Sequence, residues 1–388
     1  MIEKHDFLMP DYYNTFACKM GKCRHACCEG WPITFSVEDY FRLMGSECSE
    51  QLRCRLDKGI KISLSPTPDE YAQILPKYDG NCPIRLEDGR CAIHAELGEN
   101  VLADVCRLYP RGLRIEPDYE CSCANSCEAV LEGFIEREEP IKFYRETLSV
   151  NMPPFGKRAV TYSVFEKEQE IKLYLISIIQ NRAIPLYKRI ISLGETLGEI
   201  ESAIENQRKD TLNAILSSSP ACDIPSFIFR FDHLESGIEN ITELLTFIDG
   251  RSTSVRKYGE EALAFFNSAE NLLDAYEKSK THFENAFPNW EIFFEHVIVN
   301  HMFFEQFPFQ DRPVRLWDEF ASLCAIYALM RFLSLGYMFN RKDKTQFIDM
   351  CAAVFRLVDH TSFDSYASKS LNKLGCTTPQ KLFDLISL

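Results

Sequence analysis

The residues of this chain with the clearest capacity for chemistry are its cysteines, and they are unevenly placed. All but four of the sixteen lie between Cys18 and Cys127. Most fall into three groups, with the spacings Cys18-x4-Cys23-x3-Cys27-Cys28, Cys82-x8-Cys91-x14-Cys106 and Cys121-x-Cys123-x3-Cys127. Thiolates bind zinc and iron–sulfur clusters, both of which accept four such ligands in tetrahedral surroundings. The clustering therefore predicts metal binding in the N-terminal part of the chain.

The cysteine spacings do not identify which metal is bound. Two Cys-x2-Cys pairs would favour structural zinc, and a Cys-x3-Cys-x2-Cys triplet is typical of most radical enzymes that use S-adenosylmethionine. The sequence has neither pattern. The remaining cysteines are interpreted as buried free thiols, namely Cys48, Cys54, Cys222, Cys324, Cys351 and Cys376.

Composition and net charge limit the expected cellular compartment and the class of binding partner. The start, MIEKHDFLMPDYY, lacks the apolar stretch and cleavage site of a secretory signal, so we expect a cytoplasmic protein whose cysteines bind metal rather than form disulfides. No stretch approaches the roughly 18–20 uninterrupted apolar residues of a membrane-spanning helix. The net charge of −14 argues against non-specific nucleic-acid binding and suits a lysine-bearing protein partner better.

The elements expected to position the cysteines are short. Ser36 is predicted to cap a helix, and the stretch CPIRLEDGRCAIH is predicted to turn at Asp88-Gly89 as a hairpin that brings Cys82 close to Cys91. A short helix ending before Pro110 carries Cys106, and another follows Cys127 from about residue 128 to 136. Residues 138–158, with three prolines and one glycine, are interpreted as a linker or domain boundary.

Beyond this linker the apolar residues recur every three or four positions, as expected for amphipathic helices. Two strongly apolar, aromatic-rich helices within residues 290–339 are predicted to form the core, and Thr378 with Pro379 is predicted to begin the last helix. We therefore expect a mainly α protein. A loop-rich, Cys-rich metal-binding module spans residues 1–140 and an all-α helical domain spans residues 141–388.

Three N-terminal stretches carry a family resemblance: FACKMGKCRHACCEGWPI, CPIRLEDGRCAIHAELGENVLADVCRLYPR and NSCEAV. Together they resemble the flagellin lysine-N-methylase (FliB-type) family, and their N-terminal part resembles small cytoplasmic domains that chelate zinc or iron. The C-terminal stretch FEHVIVNHMFFEQFPF is similar to the helical half of the same family. The resemblance implies methyl transfer from S-adenosylmethionine to lysine side chains of flagellin, with a [4Fe–4S] cluster and zinc as the alternative metal.

Carried over residue by residue, the resemblance implies eight metal ligands: Cys18, Cys23, Cys27, Cys28, Cys82, Cys91, Cys106 and Cys127. Eight thiolates are more than one cluster requires. Two interpretations therefore remain: one cluster with additional thiols that bind no metal, or two metal sites. Cys121 and Cys123 depart from the family pattern.

Lysine methylation requires a neutral amine, yet a lysine side chain has a pKa near about 10.4 and must first lose a proton. No Gly-x-Gly-x-Gly turn follows a strand, so the Rossmann-type methyltransferase fold is not supported, and the sequence singles out no catalytic residue. Arg107 and Arg111 are candidates to bind the carboxylate of S-adenosylmethionine; a salt bridge or helix C-terminal capping is the alternative for both. Trp31 is expected to shield the cluster from solvent.

Two functions without catalysis also stay open. The Cys-rich module can be a structural zinc site while the helical domain binds a protein partner, as in an adaptor or chaperone. An electron-transfer or metal-delivery protein is the third alternative.

Overall fold

The structure, a computed structural model, describes residues 2–25, 27, 33–77, 81–151, 162, 164–220, 231–248, 250–310 and 315–386. Its strands are β1 (Ile2–Pro10), β2 (Thr34–Phe35), β3 (Ile60–Ile62), β4 (Ala72–Ile74), β5 (Arg111–Arg114), β6 (Glu120–Cys123) and β7 (Phe143–Asn151). The helices of the N-terminal part are α1 (Val37–Met44), α2 (Glu50–Gly59), α3 (Ala92–Leu97), α4 (Asp104–Leu108) and α5 (Glu128–Ile135), with a 3₁₀ turn at Glu99–Val101.

The rest of the chain is helical. Its helices are α6 (Glu168–Ile179), α7 (Leu186–Glu205), α8 (Lys209–Ser217), α9 (Phe231–Ile248), α10 (Thr253–Asn267), α11 (Leu272–Ala286), α12 (Trp290–Phe304), α13 (Leu316–Gly336), α14 (Lys344–Asp359), α15 (Phe363–Lys373) and α16 (Pro379–Ile386). The predicted mainly α class is confirmed.

Four strands form the larger sheet, in the order β5-β6-β1-β7. β1 runs antiparallel to β7 over its whole length, from Ile2 opposite Asn151 to Pro10 opposite Phe143. On its other side β1 pairs in parallel with β6. Phe7 is completely buried, because a central strand that is covered on both faces places successive apolar side chains in the core.

The predicted linker is wrong for Phe143–Asn151, which form β7. This segment forms its hydrogen bonds with β1, at the other end of the N-terminal region. The residues next to it in the sequence therefore do not identify it as a strand. Residues 152–158 of the predicted linker lie outside the described residues. The division at residues 140 and 141 stays a prediction.

A smaller sheet, in the order β2-β4-β3, packs with α1 to α4 around a hydrophobic cluster of its own. Phe35, Leu43 and Leu56 are almost completely buried in this cluster. As predicted, Ser36 caps α1, since its hydroxyl accepts a hydrogen bond from the backbone N–H of Asp39.

The helices α12 and α13 form the core of the C-terminal part, as the sequence predicts. All residues of α13 from Glu319 to Gly336 are buried, and α13 contacts α7, α9, α10, α11, α14, α15 and α16. In the described part of the chain, α13 alone is long and apolar enough to cross a membrane, and its most apolar window is completely buried inside the protein. The last helix begins at Pro379 after Thr378, as predicted.

Candidate metal centre

The first cysteine-bearing loop, residues 18–27, is fastened to the N-terminal end of α5 by Glu128. This side chain is 2% exposed and accepts hydrogen bonds from the backbone N–H groups of Arg24, at 3.0 Å, and His25, at 3.2 Å. Lys19 Nζ lies 2.7 Å from the same carboxylate. Because Glu128 directly follows Cys127, these bonds hold the first cysteine group beside Cys127.

The same loop also contacts the helical part of the protein. The Nε atom of Arg24 donates to Asp349 on α14 at 2.8 Å, and His25 Nε2 lies 3.9 Å from that carboxylate. The guanidinium of Arg24 additionally pairs with Glu132 on α5 at 2.8 Å. Two helices that are far apart in the sequence therefore position one loop.

The first cysteine loop meets the second through two glycines. Gly21 and Gly89 both have positive φ, +93° and +88°, which favours glycine. A Cβ atom added to Gly89 would lie 2.2 Å from the carbonyl oxygen of Gly21, and one added to Gly21 would lie 2.8 Å from the backbone nitrogen of Arg90. The backbones are in direct contact, so neither position has room for a side chain.

The second loop turns as the sequence predicts. An isolated antiparallel bridge joins Arg85 to Cys91, and the backbone N–H of Gly89 donates to the carbonyl of Leu86 at 3.1 Å. The turn brings the thiol of Cys82 into electrostatic contact with that of Cys91. The short helix α4 then carries Cys106, as predicted.

The thiols on these elements converge into two groups that meet at Cys27. Cys23 is near Cys18 and Cys27, and Cys127 is near Cys23 and Cys18. In the second group, Cys91 and Cys106 are each near Cys82 and Cys27. Each of the seven described members of the predicted ligand set thus lies within electrostatic reach of at least one other member.

Burial and nearby thiols make Cys23, Cys106 and Cys127 reluctant to ionise. Burial, with the neighbouring Glu128, Cys18 and Cys27, raises the pKa of Cys23 to about 11. Burial, with Cys23 and Cys18 nearby, raises the pKa of Cys127 to about 12, and burial also raises the pKa of Cys106. A cation at the centre of such a group would reverse this effect, because metal ligation deprotonates the coordinating thiol.

The donor set fits a thiolate-bound metal in the chemistry of its side chains. Within the described residues, the cysteines of the predicted set carry thiol groups that are not joined in disulfides. In the same described ranges, no three His, Cys, Asp or Glu side chains are grouped so that they could hold one metal ion. Cys28, predicted as a further ligand beside Cys27, and Trp31, predicted as a shield, lie outside the described residues.

The two arginines predicted to bind a cofactor have different partners. Arg107 pairs with Asp104 one turn earlier in α4 at 2.7 Å. Arg111 donates to the carbonyl of Phe16 at 3.0 Å and lies over the rings of Tyr13 and Phe16. Their proposed cofactor role stays a prediction.

Cys121 and Cys123 lie on the same face of β6, both buried, and belong to the large core. Cys121 contacts the Tyr13 hydroxyl, and Cys123 is near Cys127. The carbonyl of Cys123 accepts a hydrogen bond from Asn300 of α12 at 2.8 Å, which connects β6 to the helical part.

Comparison with known families matches residues 172–385 to the FliB lysine N-methylase C-terminal domain. This match covers more than half of the chain. The chain belongs to the FliB lysine N-methylase family. The predicted resemblance is thereby confirmed, while the cysteine-rich part lies before the matched residues. No curated protein and no solved structure matches the chain.

The FliB domain and the cysteine loops meet at α14. Asp349 lies within the matched residues and holds Arg24 of the first loop. Sequence reasoning missed Asp349, Glu128 and the contact of Gly21 with Gly89. The signals for two of them were present, since Glu128 opens a helix next to a cysteine and Gly21 lies between two cysteines.

Proposed function

We propose that this protein transfers methyl groups from S-adenosylmethionine to lysine side chains of flagellin in the cytoplasm, with a thiolate-bound [4Fe–4S] cluster. The observation that carries the proposal is membership in the FliB lysine N-methylase family across residues 172–385. A lysine N-methylase acts on a protein substrate, and flagellin is the substrate that the family resemblance implies.

The convergence of the cysteine loops supports a metal centre. The proposed ligands are drawn from Cys18, Cys23, Cys27, Cys28, Cys82, Cys91, Cys106 and Cys127. An iron–sulfur cluster supplies one-electron chemistry and, where an iron has an open position, a point of attachment for amino and carboxylate groups. Zinc in the same thiols would instead be structural.

The chain's own contribution is to bring the substrate amine to a place of low dielectric constant. A lysine that leaves water loses part of the stabilisation of its ammonium form, so its pKa falls and the neutral amine becomes accessible. Alignment of that amine with the methyl group then contributes through proximity and orientation. The acidic surface, with a net charge of −14, favours approach of a lysine-bearing protein.

The test is incubation of anaerobically purified protein with purified flagellin and S-adenosylmethionine carrying an isotopically labelled methyl group. We expect labelled lysines in tryptic peptides of flagellin, together with iron and acid-labile sulfide in the protein. Cys127→Ser should lose label and iron. Cys54→Ser should retain both, because Cys54, which the sequence analysis wrongly predicts to be buried, is exposed on α2 and lies outside the proposed ligand set.

Three other outcomes would contradict all or part of the proposed function. A protein that contains only zinc and leaves flagellin unlabelled would favour the structural zinc adaptor. Lysine labelling by a protein that contains zinc alone would support the methylase activity and contradict the iron–sulfur cluster. No label with the cluster intact and a reductant present would contradict methylation.

A further inference from the structure

Asn300 is a buried amide within the apolar helix α12, and its side chain is bonded on both sides. The residue is 1% exposed. Its amide nitrogen donates to the carbonyl of Cys123 at 2.8 Å and to Oδ1 of Asn125 at 2.7 Å. Its amide oxygen accepts a hydrogen bond from the hydroxyl of Tyr12. Because a buried amide destabilises the fold unless it is hydrogen-bonded, these partners explain how α12 tolerates Asn300.

Tyr12 and Asn300 together hold both main-chain polar groups of Cys123, the last residue of β6. The backbone N–H of Cys123 donates to the Tyr12 hydroxyl at 3.3 Å, and its carbonyl accepts from Asn300. Tyr12 follows β1 in the chain, and its ring packs edge-on against Phe134 of α5, with 5.1 Å between the centroids. The ends of two strands and one helix of the C-terminal part therefore meet at Cys123.

The residues after Cys123 are fixed in the same way as far as Cys127. Asn125 is 2% exposed, and its amide nitrogen donates to a main-chain carbonyl of α12 at 2.8 Å. Ser126 is completely buried and accepts a hydrogen bond from the Tyr109 hydroxyl at 3.2 Å. The backbone N–H of Cys127 donates to the carbonyl of Ala124 at 3.3 Å. The turn between β6 and α5 is thus held by side chains of other elements.

This turn presents a proposed metal ligand. Cys127 ends the turn, directly before α5, and its thiol is near those of Cys18 and Cys23. Stability alone does not require an amide beneath it, because apolar residues of the same shape can replace a buried hydrogen-bonded pair at little cost. Residues that bind metal, in contrast, depend on hydrogen-bonded neighbours that fix their orientation.

We propose that Asn300 is a positioning residue for the thiol centre, a role that rests on the metal centre proposed above. Through Cys123 and Asn125 it holds the turn that places Cys127 beside Cys18 and Cys23 before any metal binds. A thiol that is already in place binds metal more tightly, because less conformational freedom is lost on binding. Asn300 belongs to the residues matched to the FliB domain, so this domain contributes to the metal affinity of the cysteine loops.

The first test measures Zn²⁺ affinity of the full-length protein by competition with a chromophoric chelator. Asn300→Ala should weaken binding about 10–100-fold, as is typical when a neighbour that orients a metal ligand is removed. The matched control is Asn240→Ala, because Asn240 is a buried amide of α9 whose side chain lies 4.0 Å from the sulfur of Cys376, a thiol outside the proposed ligand set. Equal weakening in both variants would show that affinity follows general stability and would overturn the inference.

A second pair of variants keeps the test valid if Asn300→Ala does not fold. Tyr12→Phe removes the hydroxyl that contacts Asn300 and Cys123 and retains the aromatic ring. It should weaken Zn²⁺ binding about three- to ten-fold, the equivalent of about one neutral hydrogen bond. Tyr13→Phe should leave the affinity unchanged, because the Tyr13 hydroxyl contacts Cys121 instead. Equal affinities of the two variants would overturn the inference, and so would a wild type that does not bind Zn²⁺.

A third measurement uses the protein after removal of metal. The backbone N–H of Cys127 should exchange with solvent at least about 10-fold faster in Asn300→Ala than in Asn240→Ala, because the turn has lost its attachment to α12. Tyr12→Phe should accelerate the same exchange relative to Tyr13→Phe. Weaker Zn²⁺ binding by Asn300→Ala with unchanged exchange at Cys127 would mean that Asn300 acts by another route, and would overturn the inference.

These measurements contain neither S-adenosylmethionine nor flagellin, so they separate this inference from the proposed function. Zn²⁺ affinity that depends on Asn300, in a protein that leaves flagellin unlabelled, would support the inference and contradict the methylase. Labelled flagellin together with unchanged Zn²⁺ affinity in Asn300→Ala would support the methylase and overturn the role of Asn300.

Discussion

Replacement of Glu128 by alanine is expected to release the first cysteine loop from α5. The change removes the acceptor of two backbone hydrogen bonds, from Arg24 and His25, and the partner of Lys19. Hydrogen bonds to a charged group contribute about 1.5–3 kcal/mol each, so the two backbone bonds alone hold the loop by at least about 3 kcal/mol.

Two further effects are smaller and oppose each other. Loss of the Lys19 contact adds to the destabilisation, but Lys19 is 23% exposed and retains Glu132 at 3.0 Å, so this addition is small. Removal of the carboxylate also relieves the cost of its own burial, which offsets part of the loss. We therefore expect a net effect of about 3 kcal/mol, which corresponds to a roughly 150-fold shift in the equilibrium between attached and released loop.

The assay is native-state hydrogen exchange of the Arg24 and His25 amides, because these N–H groups donate to the carboxylate directly. In Glu128→Ala both should exchange roughly 150-fold faster at neutral pH. The matched control is Glu132→Ala, because Glu132 shares Lys19 and Arg24 but is 32% exposed, and the backbone N–H groups of the loop donate to Glu128 instead. Equal exchange in the two variants would refute the reasoning.

The pH dependence of the wild type gives an independent check on Glu128. Burial would raise its pKa, but hydrogen bonds from Lys19 and from the Arg24 and His25 amides outweigh burial and hold it below the ordinary value of 4.5. A carboxyl with a lowered folded-state pKa stabilises the native state above its unfolded pKa and loses this contribution as pH falls through the folded value. Protection of the two amides should therefore persist at neutral pH and be lost below about pH 4.5.

Three other perturbations test separate parts of the architecture. Gly89→Ala would place its Cβ 2.2 Å from the Gly21 carbonyl oxygen and should lower the unfolding free energy in urea by about 2–3 kcal/mol, whereas Gly250→Ala, which also has positive φ but open space, should lose only about 1 kcal/mol. Glu295→Ala leaves Arg189 buried without its carboxylate at 2.7 Å and should cost about 3–5 kcal/mol in the same assay; a loss below about 1 kcal/mol would contradict that assignment. Removal of metal by a strong chelator should lower the melting temperature of the wild type, and an unchanged melting curve would argue against a metal that supports the fold.

The helical part of the fold follows largely from local patterns. The period of apolar residues predicts the helical segments between residues 163 and 286 because each shows its buried face within its own sequence, and α12 and α13 are predicted as core because they are apolar on all sides. Ser36 and Thr378 are recognised as helix starts because capping depends on residues only a few positions apart. These features need no knowledge of distant contacts.

Features that depend on contacts between residues far apart in the sequence could not be predicted from local patterns. β7 was interpreted as a linker because its strand character comes from pairing with β1. The cysteines predict a soft-metal site by type, but the spacing does not reveal that Glu128 and Asp349 hold the first loop from two different helices.

The pairing of β1 with β7 has a consequence for the order in which the protein is assembled. β1 is synthesised well before its longest partner strand, which follows only at residues 143–151, after every proposed ligand between residues 18 and 127 has been made. Until then the apolar run at Phe7 and Leu8 lacks its antiparallel neighbour, which is a state prone to aggregation during folding. The proposed ligands emerge from the ribosome before α14 has been made, so during translation the cysteine loops are open to solvent on the side that Asp349 later closes.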